Sequence, residues 1–65
     1  MHKGTVKWFN EQKGYGFIVN EEGKDIFVHF RDVVGVGDRY LKKGENVLYT
    51  PSENEKGQIA TNVVH

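Results

Sequence analysis

The chain has 65 residues, in which nine lysines and arginines balance nine aspartates and glutamates. A chain of this length forms one domain at most, residues 1–65, and buries only about 60% of the surface that its unfolded form exposes. Zero net charge argues against a protein that holds a polyanion by bulk charge. The absence of cysteine excludes disulfides and thiolate metal sites. No apolar stretch approaches the roughly 20 residues of a membrane span, and residues 1–3 do not open a signal peptide, so we expect an intracellular protein that does not contact membranes.

Charge is distributed unevenly along the chain. Residues 1–20 carry two more positive than negative side chains, and residues 45–65 carry two more negative than positive ones. Because phosphates bind to lysine and arginine, any nucleic-acid-binding surface is expected in the N-terminal half.

Short apolar runs, broken by glycines and by Asn, Asp and Ser clusters, predict an all-β chain. The predicted strands cover residues 3–10, 15–20, 25–30, 45–50 and 58–63. A polar turn at 52–57 separates the last two strands, and the long connection at 31–44 is interpreted as a loop around Gly35-Val36-Gly37. Five short strands leave nothing to cover an open sheet, so we predict a small barrel whose inward residues form the core. Gly14 and Gly16 suit the bend at a barrel corner.

Strict alternation in the second and third strands separates aliphatic from aromatic side chains. The predicted core combines the aliphatic residues Val6, Ile18, Ile26, Val28, Val47 and Val63. The loop valines are expected to form a satellite of this core: Val33, Val34 and Val36. The opposite, external face then carries Tyr15, Phe17, Phe27 and His29.

External aromatic clusters usually mark binding sites. Rings surrounded by lysines suit single-stranded nucleic acid, since stacking contributes about 1–3 kcal/mol per base. Alternatively, the rings pack beneath the long loop or against a partner protein.

Alternation does not settle the roles of three further positions. Trp8 and Phe9 are adjacent, so one faces inward and the other outward, but alternation does not say which. Alternation places Phe30 on the inward face with Val28, although it is an aromatic residue at the end of the strand. Asp25 follows a polar turn and could close that turn through its side chain.

Three segments resemble motifs of the cold-shock protein family. KGYGFI at 13–18 and IFVHF at 26–30 are similar to its two ribonucleoprotein motifs, and KWFN at 7–10 lies upstream of them as in that family. The likeness runs the whole chain and is that of a bacterial-type single-domain member. An RNA-recognition motif domain also carries a motif that begins Lys-Gly-aromatic-Gly-Phe, but it would need two helices and a longer chain. The resemblance implies a five-stranded antiparallel OB-type β-barrel that binds single-stranded RNA and DNA, favours pyrimidine-rich (T/U-rich) strands and keeps RNA unpaired.

The resemblance also implies roles for individual residues. The implied stacking platforms are Trp8, Tyr15, Phe17, Phe27, His29 and Phe30. Lys7 and Lys13 would contact phosphates or base edges, although both could be ordinary solvated lysines. Asp25 would hydrogen-bond a base, and Lys56 would add a peripheral contact.

Some positions depart from the family pattern. Asp38 stands where many members have a stacking aromatic, which puts one subsite in doubt. Tyr40 could reach round to compensate or pack against the barrel. Pro51 is expected to end the fourth strand, and Gln58 stands where a proline is frequent.

Enzymatic functions are disfavoured. Ser52 is the only serine and has no base to activate it, and the histidines at 2, 29 and 65 lack metal-ligand spacing. We therefore expect no catalysis, no metal and no cofactor. The hypothesis is a cytoplasmic, ATP-independent RNA chaperone, expected to be a monomer. The alternative is a protein-interaction or self-associating module, in which the loop at 31–44 could act as a hinge for a domain-swapped dimer.

Overall fold

The structure, a computed structural model, describes residues 1–34 and 40–65 and shows a closed β-barrel. Its strands are β1 (His2–Asn10), β2 (Tyr15–Asn20), β3 (Asp25–His29), β4 (Asn46–Asn54) and β5 (Gly57–Val64). A 3₁₀ helix, Phe30–Asp32, follows β3. The strand order is β1-β2-β3-β5-β4, and β4 pairs with β1 to close the barrel. The prediction of an all-β, five-stranded barrel is confirmed.

A short parallel contact joins β3 to β5, and we call this contact the seam. The sequential hairpins β1–β2, β2–β3 and β4–β5 are antiparallel, as is the β1–β4 ladder. At the seam, Phe27 pairs in parallel with Ile59. A bridge between Val33 and Val63 extends this contact beyond the end of β3.

The predicted core is confirmed, because all six of its aliphatic side chains are buried. Four further residues complete the core: Val33, Leu41, Tyr49 and Ala60. The expectation for Val34 is wrong. Its backbone N–H donates to the Val63 carbonyl at 2.8 Å, while its side chain is 42% exposed. The third loop valine of the expectation, Val36, lies outside the described residues.

The fourth strand is longer than predicted. Pro51 does not end it, because β4 continues to Asn54 and Pro51 pairs with Ala60 of β5. The polar segment expected as a turn at 52–57 is therefore mostly strand, and only residues 55 and 56 form the turn. β1 pairs with β4 only up to Tyr49, so the part of β4 around Pro51 is paired on one side, where a proline is tolerated.

Asn20 holds the turn between β2 and β3. Its side-chain oxygen accepts the backbone N–H groups of Glu22 and Lys24, both at 2.9 Å. Burial in the core raises the pKa of Tyr49. The turn-closing role considered for Asp25 thus belongs to Asn20. In the described part of the chain, no helix has the length and hydropathy needed to span a membrane.

Candidate nucleic-acid interface

An irregularity in β1 turns Trp8 outward. Val6 and Trp8 pair with consecutive residues of β2, so Lys7 is an extra residue, a β-bulge. Without this bulge, alternation from buried Val6 would direct Trp8 into the core. With it, Trp8 is 38% exposed and Phe9 packs against the core instead. The ring that the family resemblance placed outside is therefore the exposed one.

Side chains from β1, β2, β3 and the first residue of the 3₁₀ helix form an aromatic surface on the outside of the barrel. This aromatic face consists of Trp8, Tyr15, Phe17, Phe27, His29 and Phe30. The Trp8 ring centroid lies 5.4 Å from that of Phe17 and 5.7 Å from that of Tyr15. The Phe27 ring centroid lies 5.8 Å from Phe17 and 5.7 Å from Tyr15. Apart from Trp8 these side chains are half-buried, because they pack against one another and leave their outer surfaces accessible.

Phe30 lies at the end of the aromatic face and outside the core cluster. Its backbone N–H donates to the Gly14 carbonyl at 2.8 Å, and its ring lies over Gly14, where an added Cβ would be 2.7 Å from the ring. Gly14 also has a φ of 76°, a conformation that favours glycine. The His29 and Phe30 ring centroids are 4.7 Å apart. Lys13 precedes Gly14 in the turn and is exposed, so it borders this end of the face.

Lys7 and Asp25 form an ion pair beside the rings. The Lys7 Nζ lies 3.0 Å from Asp25 Oδ2, and the side chains are 51% and 47% exposed. Exposed pairs of this kind contribute about 0–1 kcal/mol to stability. Both groups therefore remain accessible to a ligand, although each already compensates the charge of the other.

A groove of about 730 Å³ runs beside the aromatic face and crosses the seam. Phe17, Asp25 and Phe27 line one side of it, and Lys56 and Ile59 line the other. The structure thus brings Lys56, expected to make only a peripheral contact, to the same groove as the central rings. Only the closure of β5 against β3 places it there.

Several lining residues were not predicted as site residues. Asn54, Glu55 and Gln58, from the hairpin between β4 and β5, also line the groove. Periodicity carries no signal for them, since it does not report which strands meet across a closed barrel. Tyr40 is 40% exposed and its ring lies 6.1 Å from that of Phe9, so it packs on the barrel. Asp38, the position of the doubtful subsite, lies outside the described residues.

The chemistry of this surface is that of contact and hydrogen bonding. It offers flat rings, a few lysines and two carboxylates, those of Asp25 and Glu55. Within residues 1–34 and 40–65, no group of three or more His, Asp or Glu side chains is placed to hold a metal ion.

Fold and surface together define the class of this protein: a small OB-type β-barrel with an aromatic face on its outside. The sequence matches the 'Cold-shock' DNA-binding domain family over residues 2–65. The chain belongs to the cold-shock domain family, which is a family of nucleic-acid-binding domains.

Individual relatives cover nearly the whole chain. It is 47% identical to cold shock protein 1 of Lactiplantibacillus plantarum over 64 residues, which are 98% of this chain and 97% of that protein. It is 48% identical to the major cold shock protein CspA of Pseudomonas aeruginosa over 60 residues, 92% of this chain and 87% of that protein. Among solved structures it is similar to drosophila Unr CSD456, with a TM-score of 0.80 and 25% identity, over 98% of this chain and 26% of that chain.

Proposed function

We propose that the protein binds single-stranded RNA and DNA on its aromatic face, prefers T/U-rich strands and acts in the cytoplasm as an ATP-independent RNA chaperone. One observation carries this proposal: each of four rings from three adjacent strands lies 5.4–5.8 Å from two of the others on the outside of the barrel. Stacking on such rings accepts any base, and preferences for pyrimidine runs arise from stacking strength and backbone flexibility.

Chaperone activity follows from the kind of base that this face accepts. A ring can stack on a base only when the face of that base is free, so paired and stacked bases in a duplex are poor ligands. Binding therefore stabilises open RNA by mass action and requires no nucleotide hydrolysis. Several stacking contacts, discounted for non-additivity, correspond to a Kd between roughly micromolar and nanomolar.

The ion pair of Lys7 with Asp25 predicts a weak dependence of binding on salt. Since Asp25 already compensates one of the lysines, we expect only about one to three phosphates to be neutralised, with a slope of log K against log [salt] of about −0.7 for each. The slope is measured by titration at several NaCl concentrations. A slope steeper than about −4 would show that phosphates, not rings, dominate binding.

Trp8 is the only tryptophan and reports directly on the proposed surface. Its fluorescence is followed during titration with a short T-rich strand, an A-rich strand and the matching duplex. We expect strong quenching by the T-rich strand, weaker quenching by the A-rich strand and almost none by the duplex. No quenching by any strand would refute the proposal. A change in elution volume of the free protein on replacing Phe27 by alanine would then identify the face as a self-association surface.

The chaperone activity needs a separate test. An RNA hairpin labelled with a fluorophore and a quencher is mixed with protein in the absence of ATP, and opening is read as increased fluorescence. We expect opening to rise with protein concentration and to be reduced for the Phe17→Ala variant. Binding of the T-rich strand without any opening of the hairpin would refute the chaperone role while leaving strand binding intact.

A further inference from the structure

His29 occupies a defined position at one end of the aromatic face. It pairs with Tyr15 across β2 and β3, and its ring lies beside that of Phe30. It is also the residue that precedes the 3₁₀ helix, with an extended backbone (φ −114°, ψ 149°). The imidazole therefore belongs to the aromatic face and also contacts the 3₁₀ helix that follows β3.

One ring nitrogen of His29 is occupied by Arg31. The backbone N–H of Arg31 donates to His29 Nδ1 at 3.2 Å, and the guanidinium Nε of Arg31 lies 3.5 Å from the same atom. Amide and guanidinium N–H groups act only as donors, so Nδ1 acts as an acceptor and carries no proton. A neutral imidazole has one N–H, which must then be on Nε2.

The other ring nitrogen has no acceptor in the described part of the chain. The two hydrogen bonds of the His29 ring to described residues both involve Nδ1. The Nε2–H is therefore an oriented donor, on a residue that shares its face with the rings.

We propose that Arg31 is a positioning residue that holds His29 in the Nε2–H tautomer, and that this N–H donates to an oxygen atom of the bound strand. The inference rests on the proposed function and deepens it. His29 then fixes the position and orientation of the bound group as well as offering a flat ring, because a hydrogen bond is satisfied at one position and orientation only. The acceptor is a base carbonyl or a phosphate oxygen, which share the same chemistry.

The first test needs no ligand. In ¹⁵N-labelled protein at a pH where the imidazole is neutral, long-range ¹H–¹⁵N spectra should show His29 with a protonated Nε2 and an unprotonated Nδ1. The Arg31→Lys variant keeps the charge and the backbone N–H donor but lacks the Nε donor, so it should show a partial increase in the Nδ1–H population. A wild-type Nδ1–H tautomer, or a mixture that Arg31→Lys leaves unchanged, would overturn the assignment.

The second test measures the coupling between His29 and single ligand atoms. Wild type and His29→Phe, which keeps a ring but has no donor, are titrated with a T-rich strand. The titrations are repeated with strands in which one thymine is replaced by difluorotoluene, or one linkage by a methylphosphonate. We expect the cost of His29→Phe, about 2- to 12-fold in Kd for one hydrogen bond, to disappear for one such strand. Any general loosening of the 3₁₀ helix in His29→Phe affects all strands equally and cancels.

The outcomes separate this inference from the proposed function. Coupling to difluorotoluene identifies a base carbonyl as the acceptor, and coupling to the methylphosphonate identifies a phosphate oxygen. If wild type binds the T-rich strand but His29→Phe costs the same on every strand, the donor role is refuted and strand binding stands. If wild type does not bind any strand, the proposed function fails, and the tautomer measurement still decides the role of Arg31.

Discussion

Phe17 and Ile18 are neighbours in β2 on opposite faces, and replacing each in turn separates ligand binding from stability. Phe17 is half-buried and contacts the rings of Trp8 and Phe27, whereas Ile18 is fully buried. Phe17→Ala removes one stacking platform, so binding should weaken by about 1–3 kcal/mol, or roughly 5- to 150-fold in Kd. It also removes two ring contacts, which should lower the free energy of unfolding by about 1–2 kcal/mol.

The Ile18→Val variant is the matched control. It removes one buried methylene and should cost about 0.5–1.5 kcal/mol of stability while leaving Kd unchanged. Binding is measured by Trp8 fluorescence, and unfolding by circular dichroism in urea, because Phe17 is close enough to Trp8 to change its fluorescence directly. A stability loss of about 3–5 kcal/mol in Phe17→Ala, as for a core phenylalanine, would refute our assignment of the faces. Wild-type affinity in that variant would refute stacking on Phe17.

Three further predictions concern stability. Asn20→Ala removes the acceptor for two backbone N–H groups of the β2–β3 turn and should cost about 1–2 kcal/mol in urea unfolding, while Asn20→Asp stays close to wild type. The backbone N–H of Lys42 donates to the Glu45 carboxylate and lowers its pKa from 4.5. The charged carboxylate therefore stabilises the fold above that pH, and this contribution disappears as the pH falls through the lowered pKa. Wild type should therefore be more stable than Glu45→Gln at pH 7 but not at about pH 2; an equal difference at both would contradict this. Gly16→Ala places a Cβ 2.7 Å from a Cα atom of β1 and should destabilise the fold far more than Gly23→Ala. A Cβ at Gly23 meets no atom within 4 Å, so that variant costs only about 1–2 kcal/mol for its φ of 82°. The reverse order of stability in thermal melts would contradict the packing.

Alternation predicted the faces of β2 and β3 because both strands run without irregularity. Ile18, Ile26 and Val28 are buried and the rings opposite them are not. Where a strand carries an extra residue, alternation fails. Core residues Ala60 and Val63 of β5 are three positions apart, because the ladder with β4 shifts between them.

The family resemblance supplied what alternation could not decide for Trp8, but not its cause. A bulge at Lys7 depends on how β1 bends around the barrel, and no local residue pattern marks it. The length of β4 was missed for a similar reason. A proline argues against a central strand, and only the barrel shows that β4 is paired on one side at Pro51. The contact of Lys56 with the groove depends on barrel closure and was likewise beyond local reasoning.

The seam has a consequence for how ligand and fold depend on each other. β3 and β5 meet through the pair of Phe27 with Ile59, so this is the shortest ladder in the barrel and the place where local opening should need least free energy. The groove crosses the same place, with Phe27 on one bank and Lys56 on the other. A nucleic-acid strand bound there would contact both sides of the groove. Amide hydrogens flanking the seam should therefore gain more protection from exchange than those of the β1–β2 hairpin. The ligand would then add contacts between β3 and β5, where the protein's own ladder is shortest.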